Sequence, residues 1–114
     1  MFDNLLYIPL ITGPIFMIAG FIMLKYPPKK INYLYGYRTR SSMKSQERWD
    51  FAQNYSSKEL INLGFFLTLM SFIGKFIEAD ENTQITAGLI LTVLTCIVLF
   101  VRVENAIKDK FGKN

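Results

Sequence analysis

The chain has 114 residues, of which 51% are hydrophobic and 19% charged, and its formal net charge is +4 at pH 7. It contains no histidine and one cysteine, Cys96. This excludes histidine-based acid–base or metal chemistry, a disulfide framework and a cysteine-rich metal site. The charges are separated from long apolar runs, a pattern typical of membrane proteins. We therefore predict a single membrane domain, residues 1–114, with no metal and no cofactor.

The first apolar run covers residues 5–24, LLYIPLITGPIFMIAGFIML, and carries no charge. As a helix it would be about 30 Å long, enough to cross the hydrocarbon core of a bilayer. Pro14 lies near its centre and is expected to kink the helix, because proline removes a backbone donor. A signal peptide begins with basic residues, whereas the charged residue before this run is Asp3. We therefore predict a retained transmembrane helix.

Two further apolar runs cover residues 60–77 and 85–101. Ser56 and Glu59 have the spacing of a capping box, which predicts that a helix begins just before the second run. The predicted spans are residues 58–77 and 85–102, joined by a short acidic loop and followed by a tail, residues 103–114. Lys75, near the end of the second span, can reach the headgroups through its long side chain.

Small residues recur along these spans at intervals that let helix backbones approach each other in lipid. They are Gly13, Gly20, Gly64, Ser71, Gly88, Thr92 and Thr95. The pattern favours packing of three helices within one chain over a dedicated dimer motif. Cys96 is expected to be a small packing residue.

The distribution of lysine and arginine predicts the orientation. Residues 25–58 contain eight of them and residues 102–113 four, whereas residues 78–84 contain none and carry three acidic residues. We predict that the N-terminus lies outside and that residues 25–57 and the tail lie in the cytoplasm. The net positive charge is then a topology signal, and no direct contact with nucleic acid is predicted.

The most polar segment is residues 36–52, GYRTRSSMKSQERWDFA. From about residue 42 its pattern is helical and amphipathic, which predicts a short helix lying along the cytoplasmic interface. One arc of this helix carries Trp49, Phe51, Ala52 and Tyr55, and the opposite arc carries Gln46, Glu47, Asp50, Gln53 and Asn54. In one interpretation the acidic arc simply faces water. In the other, it pairs with Arg38 or Arg40 and forms a fixed polar site.

This segment resembles the signature of the SdpI family of small bacterial membrane proteins. The matching residues are Asn32, Gly36, Tyr37, Arg38, Thr39, Ser42, Met43, Lys44, Glu47, Trp49 and Ala52. The plan of one helix before the motif and two after it also resembles the family's common module. The chain departs from the family pattern after the tryptophan, where it reads Ala52-Gln53-Asn54.

The resemblance implies an all-α integral membrane protein of the bacterial cytoplasmic (inner) membrane, with three transmembrane helices and an amphipathic interfacial helix between the first two. It also implies immunity or resistance to a membrane-active peptide toxin, achieved by binding and not by catalysis. The motif residues other than Ala52, together with Asp50, are the candidate site, in which Arg38 and Glu47 are expected to form an ion pair and Trp49 to anchor the interface.

Three other functions remain open from the residues. A signalling protein would dock a cytosolic transcriptional regulator through its basic loop and tail. A transporter would need polar groups inside the membrane, such as Lys75 or, in a homo-oligomer, Asn62, Thr68, Ser71, Thr92 and Thr95. An interfacial enzyme would have to use Arg38, Ser42, Lys44, Glu47 or Asp50. Membrane lipids are expected partners in every case.

Overall fold

The computed structural model describes residues 7–32, 34–73 and 80–112. These residues form three helices: α1, Tyr7–Lys25; α2, Gln46–Ser71; and α3, Glu81–Phe111. The part of the chain that the structure describes contains no strand, so the predicted all-α class is confirmed. Lys75, which was predicted to reach the headgroups, lies outside these residues.

α2 is one continuous helix from Gln46 to Ser71, and the predicted break between an interfacial helix and a second span is therefore wrong. The predicted capping box is also wrong, because Ser56 and Ser57 lie inside the helix and donate their hydroxyls to the Gln53 carbonyl. The helix begins instead at Gln46 and is capped by Ser45, whose hydroxyl accepts from the backbone N–H of Arg48. Ser45 thus satisfies one of the unpaired N–H groups of the first turn.

α1 and α2 pack antiparallel, with their backbones in direct contact. A Cβ atom added to Gly64 would lie 2.6 Å from the carbonyl oxygen of Gly13, and one added to Gly20 would lie 2.6 Å from the carbonyl oxygen of Ser57. α1 continues through Pro14. The predicted use of small residues for packing within the chain is confirmed at these positions.

α3 runs beside both other helices. Gly88 faces Ile8 and Pro9 of α1, and the hydroxyls of Thr12 and Thr92 are 3.3 Å apart across the same contact. Farther along, Val103 and Ile107 are fully buried against Ala52 of α2. Residues 103–111, predicted to be a tail, are therefore the last turns of α3 and supply part of the core.

Two helices, Ile8–Lys25 and Glu81–Phe111, are long and apolar enough to cross a membrane. The chain buries only 22% and 11% of their most apolar windows, which is far less than a core helix of a soluble protein would bury. Large apolar side chains such as Ile11, Phe65 and Val93 are exposed on all three helices, as lipid-facing residues would be. Cys96 is also exposed, so its predicted packing role is wrong. Whether α2 crosses the membrane remains a prediction.

Candidate functional site

The motif segment begins with a turn that is held by Asn32. Its side-chain oxygen accepts from the backbone N–H groups of Leu34 and Tyr35 at 2.9 and 2.7 Å, and its amide donates to the Lys30 carbonyl at 2.8 Å. Asparagine favours such turns because its side chain can hydrogen-bond backbone groups two or three residues away. The predicted site residue Asn32 therefore sets the path of the loop.

Gly36 then brings the loop against α2. Its backbone φ angle is +105°, a value that residues with a Cβ atom rarely adopt. A Cβ atom at this position would also lie 2.5 Å from the Gln53 side-chain oxygen. Any larger residue would meet both obstacles, so the motif requires glycine here.

Gln53 of α2 fastens the loop by two hydrogen bonds to one residue. Its oxygen accepts from the backbone N–H of Tyr37 at 2.6 Å, and its nitrogen donates to the carbonyl of Tyr37 at 2.7 Å. Gln53 is buried, although the helical pattern had placed it on the water-facing arc. A buried amide must find partners, and the loop backbone supplies them.

Glu104 of α3 holds the other side of the loop. One of its oxygens accepts the hydroxyls of Tyr37 and Thr39 at 2.6 and 2.8 Å, and the second accepts the Ser41 hydroxyl at 2.6 Å. Three hydroxyl donors favour the ionised carboxylate. Tyr37, Thr39, Ser41, Ser42, Gln53 and Glu104 form what we call the polar hub.

Tyr37 connects both halves of the polar hub. Burial of its ring, together with its hydrogen bond to Glu104 and the negative charge there, raises the pKa of the Tyr37 phenol well above its usual range. Tyr37 therefore stays protonated and acts as a fixed donor to Glu104.

Ser42 and Trp49 are buried, and their polar atoms are also occupied. The Ser42 hydroxyl accepts from the Thr39 N–H at 2.9 Å and donates to the Thr39 carbonyl at 3.0 Å. The Trp49 indole N–H donates to the Pro28 carbonyl, which ties the loop after α1 to α2. Trp49 is fully buried, so its predicted role as an interface anchor is wrong.

The remaining predicted site residues lie at the surface or at its edge. Met43 is half-buried and its backbone N–H donates to the Thr39 carbonyl at 3.0 Å. Arg38, Lys44, Glu47 and Asp50 are exposed, and Asp50 accepts from the Gln46 amide at 2.8 Å. In the part of the chain that the structure describes, Arg38 and Glu47 do not form the predicted ion pair, whereas Arg102 and Glu59 do form one.

The acidic residues of α2 lie near a side chain that holds the loop. At about 100° per residue, Glu47, Asp50 and Asn54 share one face of α2. Trp49 is buried on another side of the helix. Gln53, which holds the loop, is three residues from Asp50 and lines the same cavity as Asp50 and Asn54.

Sequence reasoning missed Glu104 and the burial of Gln53. Glu104 lies just past an apolar run, in the last part of the chain, which was predicted to be a tail. Of the eleven candidate residues, Gly36, Tyr37, Thr39 and Trp49 connect the loop with α2 or α3, and Asn32, Ser42 and Met43 make hydrogen bonds within the loop. Within residues 7–32, 34–73 and 80–112, no three acidic or cysteine side chains are placed to hold a metal ion.

The fold and site together define a class: a small helical membrane protein whose polar segment is a structural hub that ties a loop to two helices. The model of the SdpI/YfhL protein family matches residues 29–103. The chain is also 35% identical over 99 residues to the uncharacterised protein YfhL of Bacillus subtilis (strain 168), covering 87% of this chain and 84% of that protein. The chain therefore belongs to the SdpI/YfhL family. No solved structure matches it.

Proposed function

We propose that the chain is an immunity or resistance protein of the bacterial cytoplasmic membrane, which binds a membrane-active peptide toxin and does not modify it. In this proposal the N-terminus lies outside, and the polar hub lies at the cytoplasmic ends of the helices. The observation that carries the proposal is the contrast between a fully hydrogen-bonded hub and apolar helix faces that are open to the bilayer.

The hydroxyls of the motif support a binding role. Thr39 and Ser41 donate to Glu104, and Ser42 is buried and donates to backbone carbonyls. Glu104 accepts the Tyr37, Thr39 and Ser41 hydroxyls together and so cross-links the loop to α3. Groups held in this way fix the inner ends of the helices.

A groove between α2 and α3 offers a place for an apolar peptide segment. It has a volume of about 270 Å³ and is lined by Leu63, Phe66, Leu91, Leu94, Thr95 and Val98. These residues belong to the apolar parts of the two helices, so the groove opens at the depth where a membrane-inserted peptide would be met. An apolar lining gives little specificity by hydrogen bonding, and shape would decide which peptide fits.

The test is survival of a sensitive bacterium that lacks its own immunity protein. Cells expressing the wild-type chain, Phe66→Ala or Phe65→Ala are challenged with a secreted membrane-active killing peptide, and membrane potential and viability are followed. We expect protection by the wild type and by Phe65→Ala, and reduced protection by Phe66→Ala. Phe65 is the matched control, because it is an exposed neighbour that does not line the groove.

Membrane levels of each variant are measured in the same cells, so that loss of protein is not mistaken for loss of binding. Wild-type protein that inserts well and gives no protection against a panel of such peptides would contradict the proposal. If Phe66→Ala protects cells as well as the wild type does, the role of the groove is contradicted, and the immunity proposal itself is not.

A second candidate is a signalling protein that docks a cytosolic transcriptional regulator. It is supported by exposed cations that the polar hub does not use, namely Lys29, Lys30 and Arg40. A regulator with an acidic surface would be recovered with the wild type and lost when these three residues are neutralised. Equal recovery by both proteins would exclude this loop as the docking surface.

A further inference from the structure

A cavity lies where α1 ends, between the segment after this helix and α2. It has a volume of about 210 Å³, and its lining combines apolar side chains with four polar or charged ones: Met23, Leu24, Pro27, Pro28, Lys29, Asp50, Gln53 and Asn54. Met23 and Pro28 are buried. Lys29, Asp50 and Asn54 are exposed. The cavity therefore has apolar walls inside and opposite charges at its mouth.

Two side chains of α2 fix the wall of this cavity. The Trp49 indole N–H donates to the Pro28 carbonyl. The side-chain nitrogen of Gln46 donates to the Lys29 carbonyl at 2.6 Å and to the Oδ1 atom of Asp50 at 2.8 Å. Because one amide holds both groups, the backbone of Lys29 lies beside the carboxylate of Asp50. The cavity is thus a built site, in which a cation and an anion are held near each other.

The two charges do not neutralise each other directly. Among the described residues, the ammonium of Lys29 and the carboxylate of Asp50 do not form an ion pair. Gln46 occupies the Oδ1 atom of Asp50, so Oδ2 can accept from a ligand. A neighbouring cation and anion that stay apart suit a zwitterion, whose own two charges can each meet the opposite sign.

The depth of the cavity indicates the source of such a ligand. α1 is long and apolar enough to cross a membrane over Ile8–Lys25, and Met23 and Leu24 are its last apolar residues. The cavity therefore lies where the hydrocarbon core gives way to the lipid headgroups. A molecule at this level that joins apolar chains to a small charged group is a phospholipid.

We propose that the cavity binds the phosphoethanolamine headgroup of a membrane lipid. The phosphate lies at Lys29, the primary ammonium donates to Asp50, and the start of the lipid chains packs on Met23 and Leu24. A primary ammonium can donate hydrogen bonds to a carboxylate, whereas the quaternary ammonium of choline cannot. The site should therefore distinguish these two zwitterionic lipids. This inference does not rest on the proposed immunity function.

The test is native mass spectrometry of the full chain in neutral detergent, with equimolar phosphatidylethanolamine, phosphatidylcholine and phosphatidylglycerol of identical acyl chains at pH 7. We expect the wild type to retain at least about fivefold more of the ethanolamine lipid than of either other lipid. Asp50→Asn removes the charge and keeps an oxygen for Gln46, so it should retain both zwitterionic lipids equally. Glu47→Gln is the matched control, because Glu47 is exposed on the same helix and does not line this cavity. It should keep the preference.

The phosphate contact is tested in the same way by Lys29→Gln. Retention of both zwitterionic lipids should fall by about threefold, because the phosphate loses an exposed cation. Lys30→Gln is its control, since Lys30 is also exposed and lies outside the lining, and it should behave as the wild type does. Free O-phosphoethanolamine, which has the same charges without the chains, should not displace the lipid at equal concentration.

Four results would each overturn the proposal. They are equal retention of the ethanolamine and choline lipids by the wild type, a preference that survives Asp50→Asn, an equal loss of preference in Glu47→Gln, and unchanged retention in Lys29→Gln. Displacement of the lipid by free O-phosphoethanolamine would assign the cavity to a soluble ligand and so overturn the lipid assignment as well.

Discussion

The two ends of the helix bundle are held together by different kinds of contact. At the end that contains Gly13 and Gly64, helices meet backbone to backbone, because no side chain separates them. At the motif end, the loop is joined to the helices through side-chain hydrogen bonds to Gln53 and Glu104. Close packing needs only small residues at suitable spacing, whereas the hub needs particular polar groups from three separate segments.

The difference suits the two environments. In lipid, helices gain little from hiding apolar surface, so close packing of small residues drives their association. At the aqueous end, a loop rich in polar backbone must be satisfied by fixed partners to hold one shape. The predictions below test each end separately, from the largest expected effect to the smallest.

Trp49→Ala should cause the largest loss at the motif end. It removes a fully buried indole and leaves the Pro28 carbonyl without its donor, so the free energy of unfolding should fall by about 3–5 kcal/mol. Equilibrium unfolding in mixed micelles measures this. Trp49→Phe keeps most of the volume and should lose only about 1–2 kcal/mol. A Trp49→Ala protein as stable as the wild type would refute the role of Trp49 in tying the loop after α1 to α2.

Glu104→Ala should lower the free energy of unfolding by about 2–3 kcal/mol, because three hydroxyls lose a charged acceptor. Glu47→Ala is the control: its exposed carboxylate lies outside the polar hub, and monomer stability should change by less than about 0.5 kcal/mol. Combining Glu104→Ala with Tyr37→Phe should cost less than the sum of the single losses, because both remove the same hydrogen bond. If the loss of the double variant equals the sum of the two single losses, Glu104 and Tyr37 do not share a hydrogen bond that contributes to stability.

Gly64→Ala tests the apolar end. The added Cβ would lie 2.6 Å from the Gly13 carbonyl oxygen and 2.9 Å from the Met17 backbone nitrogen. α1 and α2 would have to separate, with an expected loss of about 1–3 kcal/mol. Gly88→Ala should lose less, since its nearest neighbours are side-chain atoms of Pro9 and Ile8. A larger loss of stability for Gly88→Ala than for Gly64→Ala would show that α1 and α2 separate at a lower cost in free energy than their backbone contact implies.

The raised pKa of Tyr37 should make the stability of the fold depend on pH only at high pH. Because its folded pKa is raised, the folded state keeps the phenol proton after the unfolded state has lost it. Stability is therefore unaffected below about pH 10 and falls as the pH rises above that value. Phenolate absorbance at about pH 11 should be equal for folded wild type and Tyr37→Phe. After unfolding, the wild type should gain one more phenolate; a difference already present in the folded proteins would contradict the buried hydrogen bond.

Local patterns in the sequence were sufficient for part of this architecture. The apolar runs predicted an all-helical membrane protein, and the spacing of Gly13, Gly20 and Gly64 predicted close helix packing. The motif residues also predicted the family. Each of these properties depends on the character of neighbouring residues, such as length, periodicity and small size, so each can be recognised without knowing what lies across the fold.

The tertiary structure alone decided how the motif is used. α2 continues through Ser56 and Ser57, and their hydroxyls bond the Gln53 carbonyl instead of capping a new helix. Gln53 is buried because a loop folds over it, which a helical wheel cannot indicate. Glu104 reaches Tyr37 across 67 positions. A hydrogen bond between distant segments leaves no local pattern, so only the packed helices reveal the polar hub.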